Sequence, residues 1–307
     1  MAKTKNALEI LRRRRAKDSE LQKLYEEETI NLKVATLIRK AREEAGLTQE
    51  GLAQKNETQM THYSPSQINQ FLRCPQQWAY RYIDGLKIPP SGALTQGISV
   101  HKAMEVNFSQ KISTQTDLPI AEVVDAYSTE FDKAIVDTIL APDEDKGTLK
   151  DQGVAVVEVA QIQMAPSILP IAVEKPYEVA FENVPYTLKV IPDIITAVGV
   201  HEIKTSAKTP SEVSQDYLLQ GSAQVLATGI KEVSFEYLVK TKTPKYVKIE
   251  RTFNGSDQEF LLNIIAKVDA TIKAGTFIPN RGSWLCSKRT CGYWQKCVAQ
   301  NHGTVRD

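Results

Sequence analysis

The residues with the clearest chemical potential lie in the stretch YTLKVIPDIITAVGVHEIKT, residues 186–205. This stretch is rich in β-branched residues, which predicts two short strands folded back as a hairpin. If the turn is centred on residues 197 and 198, Asp193 lies directly opposite Glu202. Because side chains alternate along a strand, Glu202 and Lys204 then project from one face, towards Asp193. A three-residue loop would instead shift this pairing by one residue.

Two acids and a lysine on one face of a hairpin favour a bound cation. Cross-strand neighbours lie about 5 Å apart at Cβ, a distance at which two carboxylates repel each other. A hard divalent metal that takes carboxylate oxygens as ligands removes this repulsion. The structural alternative is a solvated strand face that binds nothing.

The hairpin and an upstream segment resemble known nucleases. Pro192-Asp193 followed by Glu202-Ile203-Lys204 resembles the PD-(D/E)xK nuclease signature. The upstream segment is similar to the opening of RecB-type nuclease domains, which include the nuclease modules of bacterial recombination helicases and the CRISPR-adaptation nucleases. The residues that carry this second resemblance are Tyr63, Ser64, Pro65, Ser66, Phe71, Cys74, Pro75, Trp78, Tyr82 and Gly85.

The resemblance implies roles for individual residues. His101 and Glu105 stand in a GxxxHxxxE pattern similar to the first motif of these nucleases, in which the histidine is a metal ligand. By the same resemblance, Mg²⁺ or Mn²⁺ is bound by His101, Asp193, Glu202 and the carbonyl of Ile203. The metal activates water and neutralises charge on the scissile phosphate. Lys204 is implied to orient that water or to stabilise the developing oxyanion, and Glu105 to support His101 or a second metal.

A helix after the hairpin is expected to add polar side chains to the same region. Residues 209–212, Thr-Pro-Ser-Glu, form a capping-box pattern that predicts a helix ending near Gly229. Asp216, Gln220 and Gln224 follow at four-residue steps and therefore share one face of it. Relatives commonly carry Gln-xxx-Tyr here, where it contacts DNA or positions the site. Gln220 matches the first position, which implies a catalytic role, and Gln224 replaces the tyrosine. The alternative is a solvated polar face.

The four cysteines have the spacing of a metal site. Cys74 is distant in sequence, whereas Cys286, Cys291 and Cys297 form a compact C-terminal group. In an intracellular protein, cysteines in such a set are more often metal ligands than disulfides. The pattern resembles the iron–sulfur staple of RecB-type nucleases, with a first gap of four residues where relatives have two. Four thiolates hold either a [4Fe–4S] cluster or a tetrahedral Zn²⁺. The alternative is four unrelated buried thiols.

Capping patterns and periodicity predict the elements around the site. Residues 64–67 form a capping box that begins a helix. A strand is expected at 177–181, and another at 233–240 after the polar helix, which gives a right-handed crossover if the strands are parallel. Residues 256–259 are the expected cap of the last long helix. Lysines between 240 and 248 predict a basic track suited to a phosphate backbone.

The N-terminal segment, residues 1–58, is polar, charged and helix-prone. Within it, residues 32–55 resemble the first two helices of a lambda-repressor-like helix-turn-helix, without the third, recognition helix. We therefore expect a helical appendage that offers a surface to a protein partner. A nuclease domain is expected to follow over residues 62–307, with its cysteine cluster at 286–297.

Composition and charge limit the function classes. The 307 residues, 42% hydrophobic and 24% charged, are ordinary for a soluble globular protein. A net charge of +1 gives no global attraction to nucleic acid, so DNA must be held by a local basic track. The sequence has neither a run of about 18 apolar residues nor the apolar core of a secretory signal. The expected location is the cytoplasm, and the resemblance implies a bacterial or phage origin.

Together these observations predict an α/β protein in which a central mixed β-sheet is flanked by helices. This architecture is similar to the restriction-endonuclease-like core, and the N-terminal helical appendage is added to it. The predicted function is that of a metal-dependent DNA nuclease, expected to be an exonuclease acting on single strands or DNA ends. The alternative is a DNA-binding or assembly module with a degenerate nuclease core and a structural zinc.

Overall fold

A computed structural model describes residues 62–181 and 186–302. The expected appendage at residues 1–58 and its helix-turn-helix resemblance lie outside the described residues. In chain order, the described elements are β1 His62–Tyr63, α1 Pro65–Arg73, α2 Pro75–Tyr82, α3 Gly92–Thr114, α4 Ile120–Ala134, α5 Lys146–Val159, β2 Ala172–Val173, β3 Tyr177–Ala180, β4 Thr187–Val190, β5 Ile194–Ile195, β6 Val200–Ser206, α6 Gln215–Thr228, β7 Glu232–Val239, β8 Lys245–Thr252, α7 Gly255–Lys273 and α8 Trp294–Asn301.

The described strands form two sheets. Five of them make a mixed sheet in the order β2-β5-β6-β7-β8, in which β6 and β7 are parallel and the other neighbours are antiparallel. The parallel pair confirms the expected strand–helix–strand crossover through α6. The remaining strands form a smaller sheet in the order β1-β4-β3. The architecture is therefore the predicted α/β class, with mixed sheets flanked by helices.

The predicted hairpin is present, and its first strand is divided in two. β5 and β6 pair with Ile194 opposite His201, which is the register expected for a turn at residues 197 and 198. The earlier half of the first strand, β4, belongs to the small sheet. Pro192 lies between the two halves and has no backbone N–H to donate to a ladder. The chain thus crosses from one sheet to the other directly before Asp193.

The helix N-termini agree only in part with the capping patterns. Helix α1 begins with the predicted capping box, in which residues 64 and 67 make both reciprocal bonds. The pattern at 209–212 is wrong as a helix start, because α6 begins at Gln215. In the intervening segment, Val213 packs against the buried core. Helix α7 is capped by Asn254, two residues before the expected cap.

Buried side chains form three clusters that hold these elements around the site. The first packs α3, α4 and α5 against the large sheet and includes Phe108, Tyr127 and Phe131. The second joins α1, α2, α6 and α7 to the small sheet, and the third lies between α6 and β7. Each large side chain buried in this way contributes about 1.5–3 kcal/mol. Within the described residues, no helix combines the length and hydropathy of a membrane span.

Candidate active site

Three carboxylates form a row across neighbouring strands of the large sheet. The β5–β6 register places Asp193 opposite Glu202, as expected. The β2–β5 register continues the row to Glu174, whose backbone N–H donates to the Asp193 carbonyl at 3.0 Å. Glu174 has a φ of 47°, in the left-handed region that residues other than glycine rarely occupy. The backbone therefore turns at the end of β2, in direct contact with Asp193.

Helix α3 brings a histidine to this row. His101 Nδ1 lies 3.4 Å from Asp193 Oδ2. One ligand atom from each of His101, Glu174 and Asp193 lies within 4.8 Å of the other two. One imidazole and two carboxylates are a donor set that suits a divalent metal. Glu105, one turn along α3, accepts two 2.8 Å bonds from Lys102 and lines the same cavity as His101, so its supporting role stays a prediction.

Glu202 is fully buried and is held by four donors. Its Oε2 accepts from Lys204 Nζ and Gln220 Nε2, each at 2.7 Å. Its Oε1 accepts from the Asp193 N–H at 3.3 Å and from Gln224 Nε2. Lys204 also donates to Gln220 Oε1 at 3.0 Å. The two glutamines come from successive turns of α6, so this part of its polar face is directed at Glu202, whereas Asp216, one turn earlier, is exposed and pairs with Arg73.

Asp193 links the two halves of the cluster. Its Oδ2, which faces His101, also accepts a 2.7 Å bond from the Ile203 N–H. The Ile203 side chain is buried in the core cluster below α3. The role expected of residue 203 belongs to its carbonyl oxygen, and that role stays a prediction.

Burial and mutual proximity shift the pKa values of this cluster. Burial, followed by the charge of Asp193, raises the pKa of Glu174 to about 7. The same two causes raise the pKa of Glu202. Burial also acts to raise the pKa of Asp193, but His101 and Lys204 outweigh it and lower that pKa. Burial opposes the charged form of Lys204, but Glu202 and Asp193 outweigh it and raise its pKa, so the amine stays an ammonium. The crowded acids fit a bound cation.

Sequence reasoning missed Glu174, because it belongs to no local motif. It precedes Lys175 and Pro176, a segment interpreted only as the approach to a strand. The signal that could have revealed it is the short apolar pair Ala172–Val173, which forms a strand against β5. Antiparallel pairing of that strand places the residue after it beside Asp193.

All four cysteines line one small cavity between the α1–α2 junction and the C-terminal segment. The Asn280 N–H lies 3.4 Å from Cys74 Sγ, which joins the two distant parts of the chain. Burial raises the pKa of Cys291, and the other three thiols raise it further. The fold therefore brings the four predicted thiol ligands to one cavity.

The sequence from residue 62 to residue 298 matches the family model of the PD-(D/E)XK nuclease superfamily. The match covers most of the chain and includes every residue of the carboxylate row, His101, Lys204 and the four cysteines. The chain belongs to this superfamily and is a metal-dependent nuclease.

The solved structures that align with the chain are distant from it in sequence. A protein from Eubacterium rectale, named as a candidate exonuclease, aligns with a TM-score of 0.51 at 11% identity, over 85% of this chain and 95% of that chain. The alkaline exonuclease LHK-Exo from Laribacter hongkongensis aligns with a TM-score of 0.28 at 13% identity, over 59% of this chain and 92% of that chain. At such identities the first likeness shows the fold alone. No curated protein matches the chain.

Proposed function

We propose that the chain is a deoxyribonuclease that uses Mg²⁺ or Mn²⁺ to hydrolyse phosphodiester bonds from the ends of DNA. The superfamily match supports the reaction. The observation that carries the choice of site is the convergence of His101, Glu174 and Asp193 within 4.8 Å, beside the Glu202–Lys204 pair. Action from ends is supported by the name of the Eubacterium rectale protein that shares the fold.

The proposed metal ligands are His101, Asp193, Glu202 and the Ile203 carbonyl, with Glu174 added from the carboxylate row. Carboxylate oxygens with one imidazole suit Mg²⁺ or Mn²⁺ better than a soft metal. When bound, the metal would supply Lewis acidity that neutralises charge on the scissile phosphate and lowers the pKa of water.

Lys204 and Gln220 are proposed to act on the phosphate side of the site. Because its pKa is raised, Lys204 is an ammonium that stabilises the developing oxyanion or orients the attacking water, and it does not accept a proton. Gln220 accepts from Lys204 through its carbonyl oxygen and donates to Glu202 through its amide nitrogen. It therefore fixes the direction in which the ammonium points.

The Glu174→Gln variant tests the ligand set. We expect it to lower Mn²⁺ affinity and kcat/KM by at least about 100-fold, because an uncharged amide is a poor ligand for a hard cation. The readouts are isothermal titration with Mn²⁺ and cleavage of an end-labelled oligonucleotide. Glu158→Gln, an exposed acid on α5, is the matched control and should change neither by more than about twofold. Equal effects in the two variants would remove Glu174 from the site.

Linear and circular DNA of the same sequence test the action from ends. We expect linear DNA to be degraded in Mn²⁺, EDTA to stop the reaction, and excess Mn²⁺ to restore it. Circular DNA should persist through the same incubation. If circular and linear DNA are cut at similar rates, the protein is a nuclease but does not act from DNA ends.

We also propose that the cysteines hold a [4Fe–4S] cluster, with a structural Zn²⁺ as the alternative. The shared cavity of the four cysteines supports a bound group at this place, and the resemblance to RecB-type nucleases favours the cluster. Bound there, it would close a long loop between Cys74 and the C-terminal cysteines and stabilise the nuclease domain. Elemental analysis of anaerobically purified protein should find about four irons per chain. A single zinc per chain would support the alternative.

A further inference from the structure

Two cavities meet at the candidate site and share a wall. The larger, of about 820 Å³, is a groove that runs from Gln220 along α1 and α2. The smaller, of about 500 Å³, opens over His101 and Lys204. Leu94 and Tyr217 line both cavities and therefore form the wall between them. The Lys204 ammonium lies 4.9 Å from the centre of the Tyr217 ring, so the wall stands directly beside the reacting region.

The two cavities differ in charge. The groove is lined by three basic side chains, Arg73, Arg81 and Lys189, and by one acid, Asp216. Arg73 pairs with that acid at 3.3 Å. Neither Arg81 nor Lys189 forms an ion pair with a carboxylate in the part of the chain that the structure describes, although the Arg81 guanidinium lies over the Tyr82 ring at 5.7 Å. No carboxylate therefore neutralises either cation. The smaller cavity instead carries three glutamates, at positions 105, 130 and 174, against two lysines, at positions 102 and 204.

We propose that the groove binds the body of a single strand of nucleic acid, and that the end of this strand crosses the Leu94–Tyr217 wall to be cleaved. This inference rests on the proposed nuclease function and adds the path of its substrate. Arg81 and Lys189, which have no carboxylate partner, attract phosphates, whereas the smaller cavity has more carboxylates than ammonium groups and holds a long polyanion less well. The charge difference therefore determines which side of the site holds the long part of the strand. Tyr217 places an aromatic ring in the wall, and unpaired bases stack on such rings, which favours a single strand over a duplex.

The salt dependence of binding tests the groove independently of cleavage. Binding of a labelled single-stranded 20-mer is measured in EDTA for the wild type and for Arg81→Gln and Lys189→Gln. Each substitution should reduce the slope of log K against log salt by about 0.7, the value for one phosphate contact on a single strand. Affinity at low salt should fall about three- to tenfold, and a duplex of the same sequence should bind more weakly. Lys267→Gln, which removes an exposed lysine of α7 outside the groove, is the control and should leave the slope unchanged.

Cleavage in Mn²⁺ separates this inference from the proposed function. If the salt-dependence slopes are as expected but the protein does not cleave DNA, the proposed nuclease function is contradicted. The proposal that the groove binds nucleic acid would still hold. In an active protein, Arg81→Gln and Lys189→Gln should raise KM and leave kcat unchanged. If both variants match Lys267→Gln in slope and KM, the groove is not the substrate path. Equal affinity for duplex and single strand would overturn the single-strand assignment.

Discussion

Replacing Lys204 with glutamine separates its structural role from its catalytic role. Its ammonium lies 2.7 Å from Glu202 Oε2, and the two side chains are 12% and 0% exposed. Breaking a buried ion pair from one side costs about 3–5 kcal/mol of unfolding free energy. Three donors to Glu202 remain, so we expect the lower end of that range. At about 2–4 °C per kcal/mol for a domain of this size, Tm should fall by about 6–12 °C.

The catalytic loss should be larger than this stability loss can explain. Removal of a group that stabilises charge in the transition state lowers kcat by about 10²–10³-fold. Single-turnover cleavage of an end-labelled oligonucleotide, at a temperature where the variant is folded, measures this loss. Thermal unfolding followed by circular dichroism measures the change in Tm.

Lys111 is the matched control for this substitution. It is a second buried lysine, 2% exposed, which pairs with Asp117 at 2.8 Å and donates to the Ala165 carbonyl at 2.7 Å. Lys111→Gln should lower Tm by a similar amount and keep kcat within about twofold. A Lys204→Gln variant that lost stability but kept kcat within tenfold of wild type would refute the catalytic role.

Three further substitutions have expected outcomes. Gly153→Ala should lower the unfolding free energy by about 1–3 kcal/mol, because the new Cβ would lie 1.7 Å from Tyr127 Oη. Urea titration measures this loss. Gly147→Ala, on the same helix, is the control and should have little effect. Cys74→Ser should reduce bound iron to well below half of the wild-type content by elemental analysis; unchanged iron would exclude this thiol as a ligand. Gln220→Leu should lower kcat about tenfold with a smaller loss of Mn²⁺ affinity, because Gln220 holds both Lys204 and Glu202. A loss of metal affinity with kcat unchanged would argue against its positioning of Lys204.

The parts of the site that could be predicted from the sequence depend on contacts that are local along the chain. The position of a two-residue turn determines the register of the hairpin, so the turn was enough to place Asp193 opposite Glu202. Helical periodicity was likewise enough to place Gln220 and Gln224 on one face of α6. Glu174 reaches Asp193 only through the pairing of β2 with β5, and no local pattern indicates that pairing.

Local signals failed where tertiary contacts overrode them. Residues 209–212 have a capping pattern, but the packing of Val213 against the core cluster takes this segment away from the helix, which starts later. None of the lysines between 240 and 248 is among the described residues that line the two cavities at the site. Lys248 instead pairs with Glu250 at 2.6 Å. The cations of the groove come from α1, α2 and β4, which only the folded structure brings together.

The central claim is that one divalent metal binds between His101, Glu174 and Asp193. Anomalous diffraction from crystals grown with MnCl₂ tests it most directly. We predict one strong manganese peak at coordination distance, about 2–2.5 Å, from ligand atoms of these three side chains. Full occupancy of manganese at other carboxylates, with no peak at this cluster, would contradict the assignment of the active site.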